Sequence, residues 1–186
     1  LLDGLGRYQV RAALQRQSAH EGFESHALNT LDPDLYQDQL PVGKVRQSAW
    51  NSSVQEQQAL LLRLQHYAAA PTQTTQVQWR MQAELSINMT VPAAAVQDWV
   101  SLEAASARGK RRGQVWLSYL FWLNYLNLSD EQAQSLRRIV VFSDTTIICT
   151  GITTQQAKDY LAEWFKAYAY AEQQPLVLPA ALLLEP

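Results

Sequence analysis

The sequence predicts an α/β fold of the α+β type, and three stretches carry the prediction. From Val77 to Val91 apolar and polar residues alternate without a break, which is the period of a β-strand. Gln114 to Leu126 is apolar on nearly every face if helical, and a helix of that kind must be buried because it cannot face water on any side. Near the end, Ala157, Tyr160, Leu161, Trp164, Phe165 and Tyr168 recur at three- and four-residue intervals, the pattern of an amphipathic helix.

The elements follow in order. Leu5 to about Gln17 reads as a helix carrying Tyr8, Ala12 and Leu14 after the turn-like Asp3-Gly4. Asp32-Pro33-Asp34 and Leu40-Pro41-Val42-Gly43 then punctuate a polar connection, and their prolines rule out regular structure through Ala27 to Gly43. A second helix runs from about Gln47 to Ala69, with Trp50, Val54, Leu61, Leu64 and Ala68 on one stripe and glutamines on the other face. A single straight strand over Val77 to Val91 would be roughly 50 Å long at about 3.3 Å per residue, longer than a domain of this size is wide. It is therefore expected to bend or to split in two, with Pro92 ending it.

A further strand around Trp99 to Ala105 leads into the basic loop Arg108-Gly109-Lys110-Arg111-Arg112-Gly113 and then the aromatic helix. Ser129 with Gln132, and Thr153 with Gln156, are capping-box pairs that open a short helix and the last helix. Between them, Arg138 to Phe142 and Thr146 to Ile152 form a hairpin around Ser143-Asp144-Thr145. The chain is read as one domain over residues 1–186, with a helical part at 1–70 and a sheet-plus-helices core at 77–186. No initiator methionine or signal pattern precedes Leu1, so the chain reads as a piece of something longer.

Charge and composition narrow the function. Fifteen basic residues against 17 acidic ones give a net charge of −2, so nucleic-acid affinity has to come from a local cluster and not from the overall field. The basic loop is that cluster. Four cations flanked by glycines suit a phosphate backbone, and the same residues also admit the plainer reading of a solvated loop. The single cysteine, Cys149, excludes a disulfide framework and a cysteine-rich zinc site, and in its apolar run it reads as a small buried hydrophobe. A reduced, cytoplasmic setting fits. The aromatic segment falls short of the roughly 20 residues needed to cross a bilayer, and Asn124 and Asn127 interrupt it.

Catalytic patterns are few. His20, His26 and His66 stand outside any metal-binding spacing, and Asp32, Asp34 and Asp38 lack the glycine and distal glutamate of a calcium loop. There is no GxSxG elbow and no GxxxxGK[ST] loop. A metal-dependent nuclease needs carboxylates on neighbouring strands and a nearby lysine. Glu84 and Glu103 are the available strand acids, and Ser86 and Ala105 stand two residues after them where lysine is required.

Three motifs resemble a known family. Leu2-Asp3-Gly4-Leu5-Gly6-Arg7-Tyr8-Gln9-Val10, then Leu40-Pro41-Val42-Gly43 followed by Trp50, then Gln173-Gln174-Pro175-Leu176-Val177-Leu178-Pro179 look like the carboxy-terminal domain of the bacterial exodeoxyribonuclease V gamma subunit, RecC. The resemblance spans essentially the whole chain and a minor part of that long subunit. It implies a restriction-endonuclease-like core, akin to the nuclease domain of the beta subunit, with a mixed central sheet flanked by helices and no active site. In the active relative an acid ends the second strand, an acid-x-Lys lies on the third, and a glutamine-tyrosine pair opens the next helix. Here the first falls near Pro92, and the second falls at Leu102 with Ala104 or at Glu103 with Ala105, without the lysine in either register. Gln114 and Tyr119 depart from the helix motif by one residue, so no role passes to them.

The resemblance further implies the RecBCD helicase-nuclease as the setting, acting in double-strand break repair and homologous recombination. The beta and delta subunits and DNA, as a duplex end or single strands, would be partners. ATP and magnesium would belong to the partner subunits, with no cofactor in this fragment. The expected role is non-catalytic guidance of DNA and subunit docking, with Arg108, Lys110, Arg111 and Arg112 as nucleic-acid contacts. The competing expectations are a pure interaction scaffold and a divergent metal-dependent nuclease.

Overall fold

The computed structural model describes residues 4–20, 22, 23, 28, 40, 45–80 and 86–173, with side chains for all of these except 4–9, 79, 80, 86 and 171–173. The elements are α1 (Gly4–His20), α2 (Val45–Gln65), β1 (Thr74–Arg80), β2 (Ser86–Pro92), β3 (Asp98–Glu103), α3 (Lys110–Leu126), α4 (Asp130–Ser135), β4 (Arg137–Phe142), β5 (Thr146–Cys149) and α5 (Thr154–Gln173). The class is α/β, as the periodicities predict. The strands lie in two sheets, a β1-β2 pair and a three-stranded sheet in the order β3-β4-β5.

The chain divides into two compact units. One comprises Leu1–Pro71, Val100–Ser106 and Val141–Thr146, and the other Thr72–Trp99, Ala107–Val140 and Ile147–Pro186. In the first unit α1 packs on α2. Val10, Ala13 and Leu14 from α1 and Trp50, Val54, Leu60, Leu61 and Leu64 from α2 are buried. The expected α2 stripe is thus present as far as Leu64, while Ala68 lies beyond the helix end and is half-buried. One glutamine crosses to the inside: Gln57 is buried and donates to the Ser18 hydroxyl, which itself donates to the Leu14 carbonyl at 2.7 Å. Arg11 pairs with Glu56, with Nε 2.8 Å from Oε2. Arg63 donates to the Ser143 carbonyl at 2.6 Å, and the Phe142 amide to the Thr145 carbonyl at 2.8 Å, closing the turn expected at Ser143-Asp144-Thr145.

The long alternation resolves into two antiparallel strands, β1 and β2, whose register runs from Thr74↔Pro92 to Arg80↔Ser86. Odd residues face odd residues across this pair, as in Val77↔Met89 and Trp79↔Ile87. Because side chains alternate with period two, the apolar positions of β1 and β2 fall on one face of the pair, so the alternation keeps its phase from one strand to the next. Pro92 ends β2 as expected.

In the second unit α3 packs on α5 and on β2. Val115, Tyr119, Leu120, Trp122 and Leu123 of α3 are buried, and Trp99 meets Trp122 edge-on, 5.5 Å between ring centroids at 74°. Asn127 closes α3 in the left-handed conformation, its N–H on the Leu123 carbonyl at 3.2 Å. Both capping boxes form: Ser129 with Gln132 opens α4, and Thr153 with Gln156 opens α5 through two bonds of 3.0 Å.

Candidate nucleic-acid interface

The cationic cluster belongs to the second unit, and its local structure differs from a plain loop. Only Arg108 and Gly109 precede the helix; Lys110, Arg111, Arg112 and Gly113 form the first turn of α3. Gly109 is the N-cap at φ +37°, a region that side chains other than glycine rarely adopt. The chain turns sharply there and then winds at once into helix. The Arg111 amide donates to the Arg108 carbonyl at 2.9 Å, and the Arg112 amide to the Gly109 carbonyl at 3.1 Å. Arg112 Nε donates to the Ala107 carbonyl at 2.9 Å, which ties its guanidinium across the turn. Arg108, Lys110, Arg111 and Arg112 are all exposed.

The electrostatics of this turn run against the helix. Three cations occupy its first turn, no acid does, and the glycine N-cap offers no side chain to the helix amides. The N-terminus of a helix carries the positive end of its dipole, so each such cation is disfavoured by about 0.3–1 kcal/mol when exposed at low ionic strength. A phosphate at this end would meet both the cations and the dipole with the favourable sign. The arrangement is suited to holding an anion.

The two registers in which the resemblance would put an acid and a lysine fall on residues of different burial. Leu102 and Ala104 are buried in the first unit, as is Ala105, while Glu103 is exposed. Glu84 lies outside the described residues. His26, Asp32, Asp34, Asp38 and the motifs 2–9, 41–43 and 174–179 likewise carry no described side chains. Among the described residues no group of three or more His, Cys, Asp or Glu side chains is placed to hold a metal ion. Tyr119 is buried, donates to the Leu136 carbonyl at 3.3 Å and has its phenol pushed up to about 12 by burial, so it is a packing residue. Burial likewise pushes the Cys149 thiol up to about 11, against a smaller lowering by Arg138, which fits the small buried hydrophobe expected. A groove of about 700 Å³ runs between Val91–Gln97 and Trp122, Tyr125 and Leu136; its lining is chiefly apolar and includes no charged side chain.

A family model described as the RecC C-terminal domain matches residues 1–185. The chain belongs to the RecC C-terminal domain family. No curated protein matches it. Membership makes this a domain of a RecBCD subunit, the exodeoxyribonuclease V gamma chain, consistent with recombination and repair. No helix among the described residues is long and apolar enough to cross a membrane.

Two features of this RecC domain escaped the sequence reading. Arg138 is buried on β4, stacked over the Trp99 ring at 4.0 Å and donating from one nitrogen to the Trp99 and Ile139 carbonyls at 3.0 Å each. Arginine is ordinarily exposed, as its neighbour Arg137 is, and nothing in the local pattern marks Arg138 as buried. The other is α5, whose stripe is not one buried face. Ala157 and Leu161 are buried, whereas Tyr160, Trp164 and Tyr168 are each about half exposed. The signal was present as two separate four-residue series, 157/161/165 and 160/164/168.

Proposed function

We propose that this RecC domain is a catalytically silent, restriction-endonuclease-like module that guides DNA and docks the beta and delta subunits in the cytoplasm. The observation that supports it most is the acid-free turn Arg108-Gly109-Lys110-Arg111-Arg112, where four exposed cations crowd the end of a helix that favours anions. Such a turn costs stability unless something negative is held there. Catalytic silence is supported by the missing lysine in both registers the resemblance allows, Leu102 with Ala104 and Glu103 with Ala105, of which Leu102, Ala104 and Ala105 are buried. It needs no cofactor of its own, and the ATP and magnesium of the complex act in the partner subunits.

The test is equilibrium binding of a labelled oligonucleotide to the chain and to a variant with Arg108, Lys110, Arg111 and Arg112 all changed to alanine. The parent is expected to bind at low salt and the variant to bind at least tenfold more weakly. Equal binding removes the DNA role of this turn. Magnesium-dependent cleavage by the chain that disappears in Glu103→Ala would overturn catalytic silence.

A further inference from the structure

The exposed ring series on α5 is continuous with the cationic turn of α3, within one unit. Arg112 and Trp116 are four residues apart and share a face of α3. Trp116 meets Tyr160 of α5 with ring centroids 5.9 Å apart at 68°. Trp164 and Tyr168 follow Tyr160 at four-residue steps, about 6 Å each along the helix. Tyr160, Trp164 and Tyr168 are 49%, 51% and 56% exposed, while Leu161 on the neighbouring series is 1% exposed and Phe165 leans on Phe121 at 6.3 Å. The helix therefore has its apolar anchor without these three rings. The line runs Arg112, Trp116, Tyr160, Trp164, Tyr168, each link being a helical turn or a ring contact.

The charges beside the rings are balanced. Lys158 and Lys166 stand against Asp159 and Glu163, and Lys166 is bonded to Glu163 at 2.7 Å. Among the described side chains of α3 and α5, the net positive charge lies at the start of α3. A protein partner would be served by the rings alone and gives no reason for cations to adjoin one end of the series. A single strand asks for both: ring faces for its bases and cations for its phosphates. A duplex asks only for the cations, since its base faces are already covered by one another.

We propose that Tyr160, Trp164 and Tyr168 form a stacking track for single-stranded DNA that is entered from the cationic turn of α3. This rests on the DNA reading given above and adds the substrate class, single strand over duplex. The rings hold unpaired bases while Arg112 and its neighbours hold the backbone.

The experiment compares the chain with the double variant Trp164→Ala/Tyr168→Ala and the conservative variant Trp164→Phe/Tyr168→Phe. Each is titrated at low salt against a labelled oligothymidylate of about 20 nucleotides and a duplex of the same length, long enough for a run of about 4–16 contacted nucleotides. Both positions are exposed, and circular dichroism verifies that the helix persists. The alanine variant is expected to lose single-strand affinity on the order of tenfold per ring with duplex affinity unchanged, and the phenylalanine variant to recover most of the loss. Unchanged single-strand affinity in the alanine variant overturns the track, while the four-cation variant still reports on the DNA role of the turn by itself. Equal losses for single strand and duplex overturn the single-strand assignment. Unchanged DNA affinity with loss of assembly with the beta or delta subunit makes this face a protein interface and overturns the proposal.

Discussion

Replacing Arg138 by methionine asks whether a buried guanidinium stabilises this fold or only tolerates its own burial. Its ring contact with Trp99 at 4.0 Å is worth about 2 kcal/mol when desolvated. The two carbonyls it serves, on Trp99 and Ile139, would each lose a charged donor, at about 1–3 kcal/mol for a buried acceptor left short. Against these stands the relief of returning a buried cation to water, several kcal/mol per ion in the general case. Methionine keeps the unbranched stem and leaves no large void, so packing changes little. The guanidinium lies over the ring and is doubly bonded, so the contacts should exceed the relief, and the variant is expected to be about 2–3 kcal/mol less stable. Urea unfolding followed by circular dichroism reads this as a fall of about 1 M in midpoint at a slope near 2–3 kcal/mol/M. A double-mutant cycle with Trp99→Phe measures what the indole adds over a smaller ring and should return a coupling of about 1 kcal/mol. A methionine variant as stable as the parent, or more so, refutes the reasoning: desolvation would then outweigh every contact Arg138 makes.

Thr153→Ala, which removes the hydroxyl that accepts from the Gln156 amide at the start of α5, should cost about 1 kcal/mol in the same urea assay, and no loss would mean this cap is not holding the helix end. Leu161→Ala opens the α5 anchor at a fully buried position and should cost about 2–5 kcal/mol, with a value below 1 kcal/mol showing that α5 is not docked through this side chain. Alkali should unfold the domain in a defined window. The folded-state values of Cys149 and Tyr119 are raised to about 11 and about 12 from 9.0 and 10.0, so the unfolded chain releases both protons first. Stability is then fully present below about pH 9 and falls as pH rises through 12, and Cys149→Ala should delay the onset by about one pH unit. In the native chain at pH 8 the Cys149 thiol should alkylate far more slowly than in urea, and equal rates would contradict its burial.

Most of the elements were legible because their periods are local properties. The alternation over Val77–Val91, the all-round apolar α3 and the two capping boxes each name their own structure, and the structure contains them. That the alternation bends or splits was expected from its length alone; where it splits was hidden because odd residues pair with odd, so the alternation keeps its phase in both strands. The cationic cluster was legible as a cluster but not as a helical turn, since glycines on both sides suggest loop while Gly109 supplies only the one positive φ that starts the helix. Arg138 was not legible, because its burial is decided by Trp99, distant in sequence. On α5 the residue types suggested one buried stripe, and only tertiary packing could divide it into an anchored series and an exposed one.

The central claim is that four cations at the start of α3 hold a DNA backbone without cutting it. The salt dependence of single-strand binding tests it most directly, because each phosphate contact releases counterions in proportion. With about four contacts at roughly 0.7 each, the logarithm of the binding constant should fall with the logarithm of salt at a slope near −3, and changing Arg108, Lys110, Arg111 and Arg112 to alanine should flatten it toward zero. A slope that survives those four changes contradicts the account.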